Sequence, residues 1–466
     1  MTGTTAPTSG RAVSFWLDRD PDTDVVGPVL QGQQVADVVV VGAGFTGLWT
    51  ALALTGRNPS LSVRVVEANV VGHGASGRNG GFVEPSLTHG LANGRKHFPD
   101  EIDELTRLGN DNFADLLDDA QRFGVADAFE RTGVLEVATA PWQVHGLAED
   151  AEQYAALGES HELLDAGAVR AEVDSPTYLA GLHRPEAGAL VHPGRLVRGL
   201  ATEARRRGVV VHERSQVTDI EAAGAGAIVR TAQGSVRADR VVLATNAYSH
   251  RLLRRTARHF VPVYDYVLLT EPLNAEQLAR IGWKRRQGVA DAGNQFHYYR
   301  LTDDDRILWG GYDAIYRFGS SVGPRNDHRR ATYDLLARHF RATFPQLADV
   351  RFERWWGGPI ATTTRFTATF GDALGGRVVY ALGYTGLGVA ASRFAGRVLT
   401  DKLLAPDSPL LQLRFTSTHP FPFPPEPLRW AGVQMTRRAI ARADARDGRR
   451  GPWLGLLDRF GIGFDS

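Results

Sequence analysis

"ADVVVVGAGFTGLWTALALTGRNPSLSVRVVEAN", residues 36–69, joins a strand, a glycine turn, a helix and a second strand in one short segment. Residues 37–41 are nearly all apolar and rich in valine, as a central parallel strand covered on both faces requires. Gly42, Gly44 and Gly47 then complete G-x-G-x-x-G at the mouth of a helical pattern. That pattern has Phe45 and Thr46 in its first turn and an apolar face of Leu48, Trp49, Ala51, Leu52 and Leu54, and Gly56 followed by Asn-Pro ends it. A second strand closes on Glu67 and Ala68, with the acid twenty positions after Gly47. Each part has a mechanical role. Gly42 makes the tight turn, Gly44 lets a pyrophosphate touch the main chain, and Gly47 lets helix and strand pack closely. The helix N-terminus faces the phosphates and Glu67 holds a ribose, which disfavours a 2′-phosphate there. The segment predicts the dinucleotide-binding unit of an α/β fold.

NAD and FAD both use such a unit, and the next stretch bears on the choice. "GHGASGRNGGF", residues 72–82, leaves the second strand at the carboxyl edge of the sheet, where ligands of these folds bind. A second glycine-rich segment so near the first implies a cofactor that extends past the pyrophosphate. Main-chain amides at Gly74, Ala75, Gly77, Gly80 and Gly81 would follow a ribityl chain and a flavin ring. Ser76, Arg78 and Asn79 would bond phosphate or ring heteroatoms. The plain alternatives are a mobile loop and an NAD-linked dehydrogenase.

Composition narrows the classes. The chain has 466 residues, 43% hydrophobic and 23% charged, with a formal net charge of +1, which suits two or three folded domains. That balance gives no reason to expect nucleic acid or an anionic membrane as partner. With no cysteine, disulfides, thiolate catalysis, cysteine metal sites and a cysteinyl flavin link are excluded. No H-E-x-x-H spacing or serine–histidine–acid pattern competes, so no metal is expected, and His192, His250 and His297 are read as structural or surface residues. The start lacks a basic stretch followed by an apolar run, and no apolar run is long enough to span a bilayer. A cytoplasmic protein without an integral membrane segment is expected, with its oligomeric state open.

The motif "GAGFTGLWTALAL … VRVVEANVVGHGASGRNGGF" resembles the D-amino-acid oxidase-like FAD-dependent oxidoreductases, and G-A-S-G-R-N-G-G is most similar to their γ-glutamylputrescine oxidoreductase branch. Matching blocks extend from about residue 36 to 404. Residues 188–220 resemble the family's second helix–strand piece, and there Val217 matches the residue whose main chain meets the adenine. Residues 240–253 resemble the strand and turn that re-enter the cofactor domain, with Thr245, Asn246 and Ala247 at the turn. Residues 377–404 resemble the last strand–turn–helix, which implies that Gly383, Tyr384, Gly386, Leu387, Gly388 and Val389 lie near the flavin carbonyl and ribityl chain. A helix N-terminus there would favour negative charge on the ring. Matched to histidyl-flavin relatives, the glycine loop puts their linking histidine at Arg78, which implies non-covalent FAD. His73 is read as a loop residue.

The resemblance implies a Rossmann-like FAD-binding domain of the D-amino-acid oxidase type, in three pieces (35–95, 188–256 and 352–404). An α+β substrate domain on an antiparallel sheet (96–187 and 257–351) is interleaved with it. Residues 1–34 read as an N-terminal strap, and residues 405–466 as a proline-rich strap followed by a docking helix around Trp430, Val433, Arg437 and Ile440. Within "NQFHYYRLTDDDRILWGGYDAIY", residues 294–316, two aromatic strands flank "TDDD". A four-residue turn would set Tyr298 opposite Trp309 on one face. Tyr298, Arg300 and Trp309 are therefore the candidate catalytic residues, with ordinary sheet packing as the alternative. Trp309 is aligned with the lysine that helps oxygen react in sarcosine-oxidase-like relatives, which puts oxygen reactivity in doubt.

The activity implied is oxidation of the C–N bond of a primary or secondary amine, γ-glutamylputrescine-like or another amino compound. Hydride would pass to flavin N5 and water would hydrolyse the imine. Members acting on α-amino acids carry a carboxylate-clamping arginine after "W-x-G", where this chain has Gly358–Pro359. Arg365 is nearby but out of place, which argues against a simple α-amino acid. The partners expected are a small-molecule amine and oxygen or another electron acceptor. A D-amino-acid or 2-hydroxy-acid dehydrogenase and a non-catalytic FAD-binding protein remain as alternatives.

Overall fold

The valine-rich run forms the inner part of the strand Gly32–Val41, which a computed structural model sets between two parallel neighbours, Val63–Val66 and Gly234–Leu243. The structure describes residues 11–18 and 26–462; the parts of the expected straps at 1–10, 19–25 and 463–466 lie outside the described residues. The sheet built on this strand runs in the order Val217–Ala223, Gly226–Thr231, Gly234–Leu243, Gly32–Val41, Val63–Val66 and Val210–His212. Val378–Leu382 also pairs with Gly234–Leu243, in parallel, and carries Thr369–Ala373. Strands far apart in sequence thus converge on one edge.

The helix Phe45–Arg57 follows the first strand and is apolar nearly all round because it is covered on several sides. It packs against Pro193–Arg206 and Gly388–Leu404, and its Leu48 and Leu52 share one core with Val40, Val65, Leu200 and Phe394. Close approach is built in at two glycines: a Cβ at Gly47 would strike the carbonyl of Gly42, and one at Gly396 would come within 2.9 Å of the Thr50 nitrogen.

A second, nine-stranded sheet carries the rest of the site. Its order is Ile315–Tyr316, Val261–Thr270, Ile307–Gly311, His297–Leu301, Gly288–Asp291, Val134–Ala138, Ala180–Arg184 and Glu162–Asp165. Phe352–Thr362 pairs along Val261–Thr270, so this strand lies in the second sheet although its residues were grouped with the last piece of the first unit. Its register produces two distinct faces. Trp356, Val267, Gly310, Tyr298, Ala290 and Glu136 form one cross-strand row. Tyr299, Trp309, Val289 and Leu135 point the other way, into a core that they share with Phe340 and Phe344.

The expected hairpin differs here. Leu301 pairs with Ile307, which leaves five residues in the loop rather than four, with Asp305 in the left-handed region at φ 61°. Trp309 therefore sits opposite Tyr299, and Tyr298 sits opposite Gly310. A slip of one residue exchanges the faces.

The described segments towards both ends dock on the rest of the chain. Trp16 is 1% exposed. Ser14 Oγ donates to Gly77 O at 2.6 Å and Trp16 Nε1 to Asn79 O at 2.8 Å, so the N-terminal segment holds the glycine loop from behind. The C-terminal helix Leu428–Asp444 lies over the loops of the second sheet, where Arg437 pairs with Asp313 at 2.6 Å. Asp444 accepts from Asn294 Nδ2 at 2.6 Å and from the Gln295 N–H at 2.9 Å. Among the described residues no helix is long and apolar enough to cross a membrane.

Candidate active site

The two glycine segments face one cavity of about 1560 Å³. At its nucleotide-like end it is lined by Gly42, Gly44, Phe45, Thr46, Glu67, Ala68 and Val217. Glu67 Oε2 accepts the Ala43 N–H and Oε1 the Asn69 N–H, both at 2.9 Å. Burial raises its pKa, partly offset by those main-chain donors. The two loops touch directly, since the Phe45 N–H donates to Ser76 Oγ at 2.8 Å.

The middle of the cavity gathers Gly74, Ala75, Ser76, Arg78, Asn79 and Gly80 from the second loop. Thr245, Asn246 and Ala247 follow the strand Gly234–Leu243, Tyr384, Gly386 and Leu387 come from the turn before the helix Gly388–Leu404, and Gly388 and Val389 open that helix. Cross-links hold these blocks in place. Thr46 Oγ1 and the Tyr384 hydroxyl are 2.7 Å apart, and the Gly383 N–H donates to Asn246 Oδ1 at 3.0 Å. Neither Phe45–Arg57 nor Gly388–Leu404 has a side-chain N-cap of its own, and both begin at the cavity. Two helix N-termini therefore direct partial positive charge into the same space, an arrangement that suits a ligand with anionic groups at separated points.

The glycine loop is bare for two different reasons. A Cβ at Gly77 would clash with Leu17, one at Gly81 with Val191 O, and one at Gly80 would come within 2.5 Å of the Tyr298 ring. Those glycines are needed by the protein itself. Gly74 is different: a Cβ there would meet nothing within 4 Å, and it borders the cavity. Gly386, with φ 100°, likewise opens onto free space. Gly77, Gly81 and Gly383, expected to hold the cofactor, do not line the cavity and sit against protein atoms instead; Gly47, read as the packing glycine of the turn, also lies off the cavity, against Gly42 O. The open cradle at Gly74 and Gly386, the acid at Glu67 and the two helix ends without an N-cap side chain of their own fit FAD.

Arg78 fastens the loop to the second sheet. Its Nη1 pairs with Asp327 at 2.7 Å and donates to Gly357 O at 2.8 Å, while its own carbonyl accepts Trp356 Nε1 at 2.8 Å. Its guanidinium is thus committed to protein partners. His73 beside it is held down to a pKa of about 4, first by burial and then by the Arg78 charge.

Beyond the loop the cavity meets the patterned face of the second sheet. Of the three catalytic candidates only Tyr298 lines it. Trp309 lies in the opposite core, fully buried. Arg300 is also buried away from the cavity, where it donates to Val191 O at 2.7 Å and pairs with Glu130 at 3.1 Å. Tyr298 crosses Gly310, whose bare main chain leaves room for the ring, and donates to Asp265 Oδ2 at 2.5 Å. Asp265 lines the cavity as well, and no cation pairs with it among the described residues. Burial raises its pKa to about 6, while the Tyr298 hydroxyl and the Tyr266 N–H pull it down. Asp265 was missed in the sequence, although an acid inside the apolar run "VPVYDYVLLT" was a usable signal.

Other expectations also meet the structure here. Gly358 and Pro359 line the cavity, whereas Arg365 turns away to donate to Thr418 Oγ1 and O, both at 2.8 Å. His297 is buried between Gly310 O and His339. His192 caps a helix by accepting the Arg195 N–H at 3.2 Å. The C-terminal tail contributes Phe423, Val433, Arg437, Ile440, Trp453 and Leu457 to the cavity wall, a role that its composition did not suggest.

The profile of one family, described as "FAD dependent oxidoreductase" (DAO), matches residues 37–402. The chain is 35% identical over 394 residues to the gamma-glutamylputrescine oxidoreductase of Escherichia coli, covering 83% of this chain and 88% of that protein. It is 30% identical over 406 residues to a "probable oxidoreductase OrdL" of Haemophilus influenzae, covering 85% and 89%. Among solved structures, glycine oxidase from Geobacillus kaustophilus superposes with a TM-score of 0.68 at 19% identity, covering 83% of this chain and 99% of that one. L-proline dehydrogenase from P. horikoshii superposes with a TM-score of 0.65 at 18% identity, covering 84% and 97%. These two share the fold. The C-terminal residues from 403 onward lie outside the matched family region. With its glycine turns, converging helix ends and the family match over most of its length, this chain belongs to the DAO family of FAD-dependent oxidoreductases.

Proposed function

We propose that this protein oxidises the C–N bond of a primary or secondary amine. The observation that carries the reading is the single cavity that joins the glycine cradle to Asp265, a half-buried carboxylate with no cationic partner among the described residues. A carboxylate drawn largely out of water without a cation is costly, and an ammonium group is the ligand that offsets the cost. The relation to a gamma-glutamylputrescine oxidoreductase supports the same reading.

FAD, when bound, supplies the two-electron acceptor that the side chains lack. Glu67 would hold its ribose, the main chain at 42–46 its pyrophosphate, and Gly74–Gly80 with residues 386–389 its ring end. The remaining work falls to the chain. Asp265 binds the incoming ammonium and takes its proton, which frees the nitrogen lone pair that oxidation of the neighbouring carbon requires. Tyr298 keeps Asp265 charged and fixes its direction. Trp356, Val267 and Phe82 wall the space against water, and aromatic faces also favour the cation before it loses its proton. None of the chain's lysines, Lys96, Lys284 and Lys402, lines the cavity, so no lysine ammonium is available there to assist oxygen.

Anaerobic mixing of the FAD-loaded protein with primary and secondary amines tests the proposal. Amines are expected to bleach the flavin absorbance, and bleaching by 2-hydroxy acids alone would overturn it.

A further inference from the structure

The cavity does not stop at Tyr298. It continues along the second sheet to a chamber lined by Glu84, Glu136, Trp142, Asp150, Tyr154 and Arg184. Glu136 shares the cross-strand row of Tyr298 and Ala290, so its side chain emerges on the same face. Val134 pairs with Arg184, which brings the guanidinium to that face too. The helix Pro141–Ala156 supplies Trp142, Asp150 and Tyr154. The tail closes over it: Gly448 sits so close to Trp142 that a Cβ would lie 2.7 Å from the indole.

Resting on the amine-oxidising reading, we propose that Glu136 and Asp150, flanked by Arg184 and Tyr154, form a distal subsite that binds an ammonium group at the far end of the substrate. Three carboxylates, Glu84, Glu136 and Asp150, face this space against one guanidinium, so its field favours a cation. The guanidinium is turned aside, stacked over Tyr154 at 4.3 Å and 3.9 Å from Glu159 at the rim. The half-buried Glu136 borders the cavity, and its carboxylate has no hydrogen-bond or ion-pair partner among the described residues. Its pKa is raised to about 7, first by burial and next by Asp150, against the lowering effect of Arg184. A half-buried acid without a partner, on the wall of a cavity proposed to bind one amine end, lacks the cation that would stabilise it.

The sheet also measures the ligand. Glu136 stands two strands from Tyr298, and Asp265 a further two on the other side, so roughly 19 Å separates the main chains at the two anchors, less the reach of the side chains. A four-carbon diamine is too short to engage both. A diamine lengthened by an acyl or aminoalkyl unit is of the right class.

Calorimetric binding to the FAD-loaded protein, with octylamine and 1,8-diaminooctane as probes, tests this. The diamine is expected to bind at least about tenfold more tightly than the monoamine, as one added charge-assisted contact would give. The difference is expected to vanish in both Glu136→Gln and Asp150→Asn, with octylamine affinity unchanged. Spermidine and the γ-glutamyl amide of putrescine separate the two sources of the ammonium: the one that loses affinity in both acid variants is the source, and loss by neither would overturn the subsite. Equal affinities for the two eight-carbon probes, or a preference that survives both acid substitutions, would overturn the subsite. Flavin bleaching is read in parallel. Amines that bleach without a distal preference refute the subsite alone, and a distal preference without bleaching refutes amine oxidation alone.

Discussion

The Tyr298 hydroxyl passes over the bare main chain of Gly310 to donate to Asp265 Oδ2 at 2.5 Å. The bond links strands that are not neighbours, because Ile307–Gly311 lies between them. It works in one direction on the carboxylate: the hydroxyl lowers a pKa that burial has raised to about 6.

Tyr298→Phe removes that donor, so the Asp265 pKa rises further. If Asp265 must be ionised to receive the amine, kcat/KM for flavin reduction climbs as pH rises through about 6 in the wild type. In Tyr298→Phe the acidic limb moves to higher pH, and kcat/KM at pH 7 falls by about tenfold, as loss of one hydrogen bond to a charged group predicts. A pH profile with an unmoved limb would remove Tyr298 from this role.

Asp265→Asn separates function from stability. The folded-state pKa of Asp265 lies above the ordinary value of 3.8, so its contribution is most favourable below pH 4 and is lost as pH rises through about 6. The asparagine protein escapes that loss. It is expected to be more stable than wild type at pH 8 by up to about 3 kcal/mol, with the advantage gone at pH 4. Urea unfolding at the two pH values checks this, while amine-driven bleaching should fall by at least about a hundredfold.

Much of this was legible because it is local. The G-x-G-x-x-G spacing, the terminal acid at Glu67 and the glycine loop are patterns whose meaning depends on neighbours within one βαβ unit. The faces of the second sheet depend on loop length. One extra residue, accommodated by the left-handed Asp305, exchanged Trp309 for Gly310 opposite Tyr298 and sent the tryptophan into the core. Arg300 was ambiguous for a related reason: its partners, Val191 and Glu130, are distant in sequence. The tail's place on the cavity was hidden in the same way, since it depends on Asp313, Asn294 and Gln295 meeting Arg437 and Asp444.

Asp444→Ala cuts the tail's two bonds to the 294–295 loop. The helix Leu428–Asp444 is expected to loosen from that loop, which raises KM for the amine by about three- to tenfold with kcat little changed. Limited proteolysis should then cleave the tail sooner. Equal cleavage rates in mutant and wild type would show that these bonds do not hold it.

Glu67→Ala removes the acceptor for the Ala43 and Asn69 amides and the expected ribose contact. FAD affinity is expected to drop by about ten- to a hundredfold, the range for one or two hydrogen bonds to a charged group. Fluorescence titration of the apoprotein measures it, and an unchanged affinity would mean that the ribose lies elsewhere.

We propose that the main chain at Gly74 is bare for the cofactor's sake, whereas Gly77, Gly80 and Gly81 are bare for the protein's. The most direct test is the FAD dissociation constant of Gly74→Ala, measured beside its apoprotein unfolding. Because a Cβ there meets no protein atom within 4 Å, the apoprotein should match wild type to within about 0.5 kcal/mol, while FAD binds at least about tenfold more weakly. Wild-type FAD affinity in that protein would show that the cofactor does not pass over Gly74.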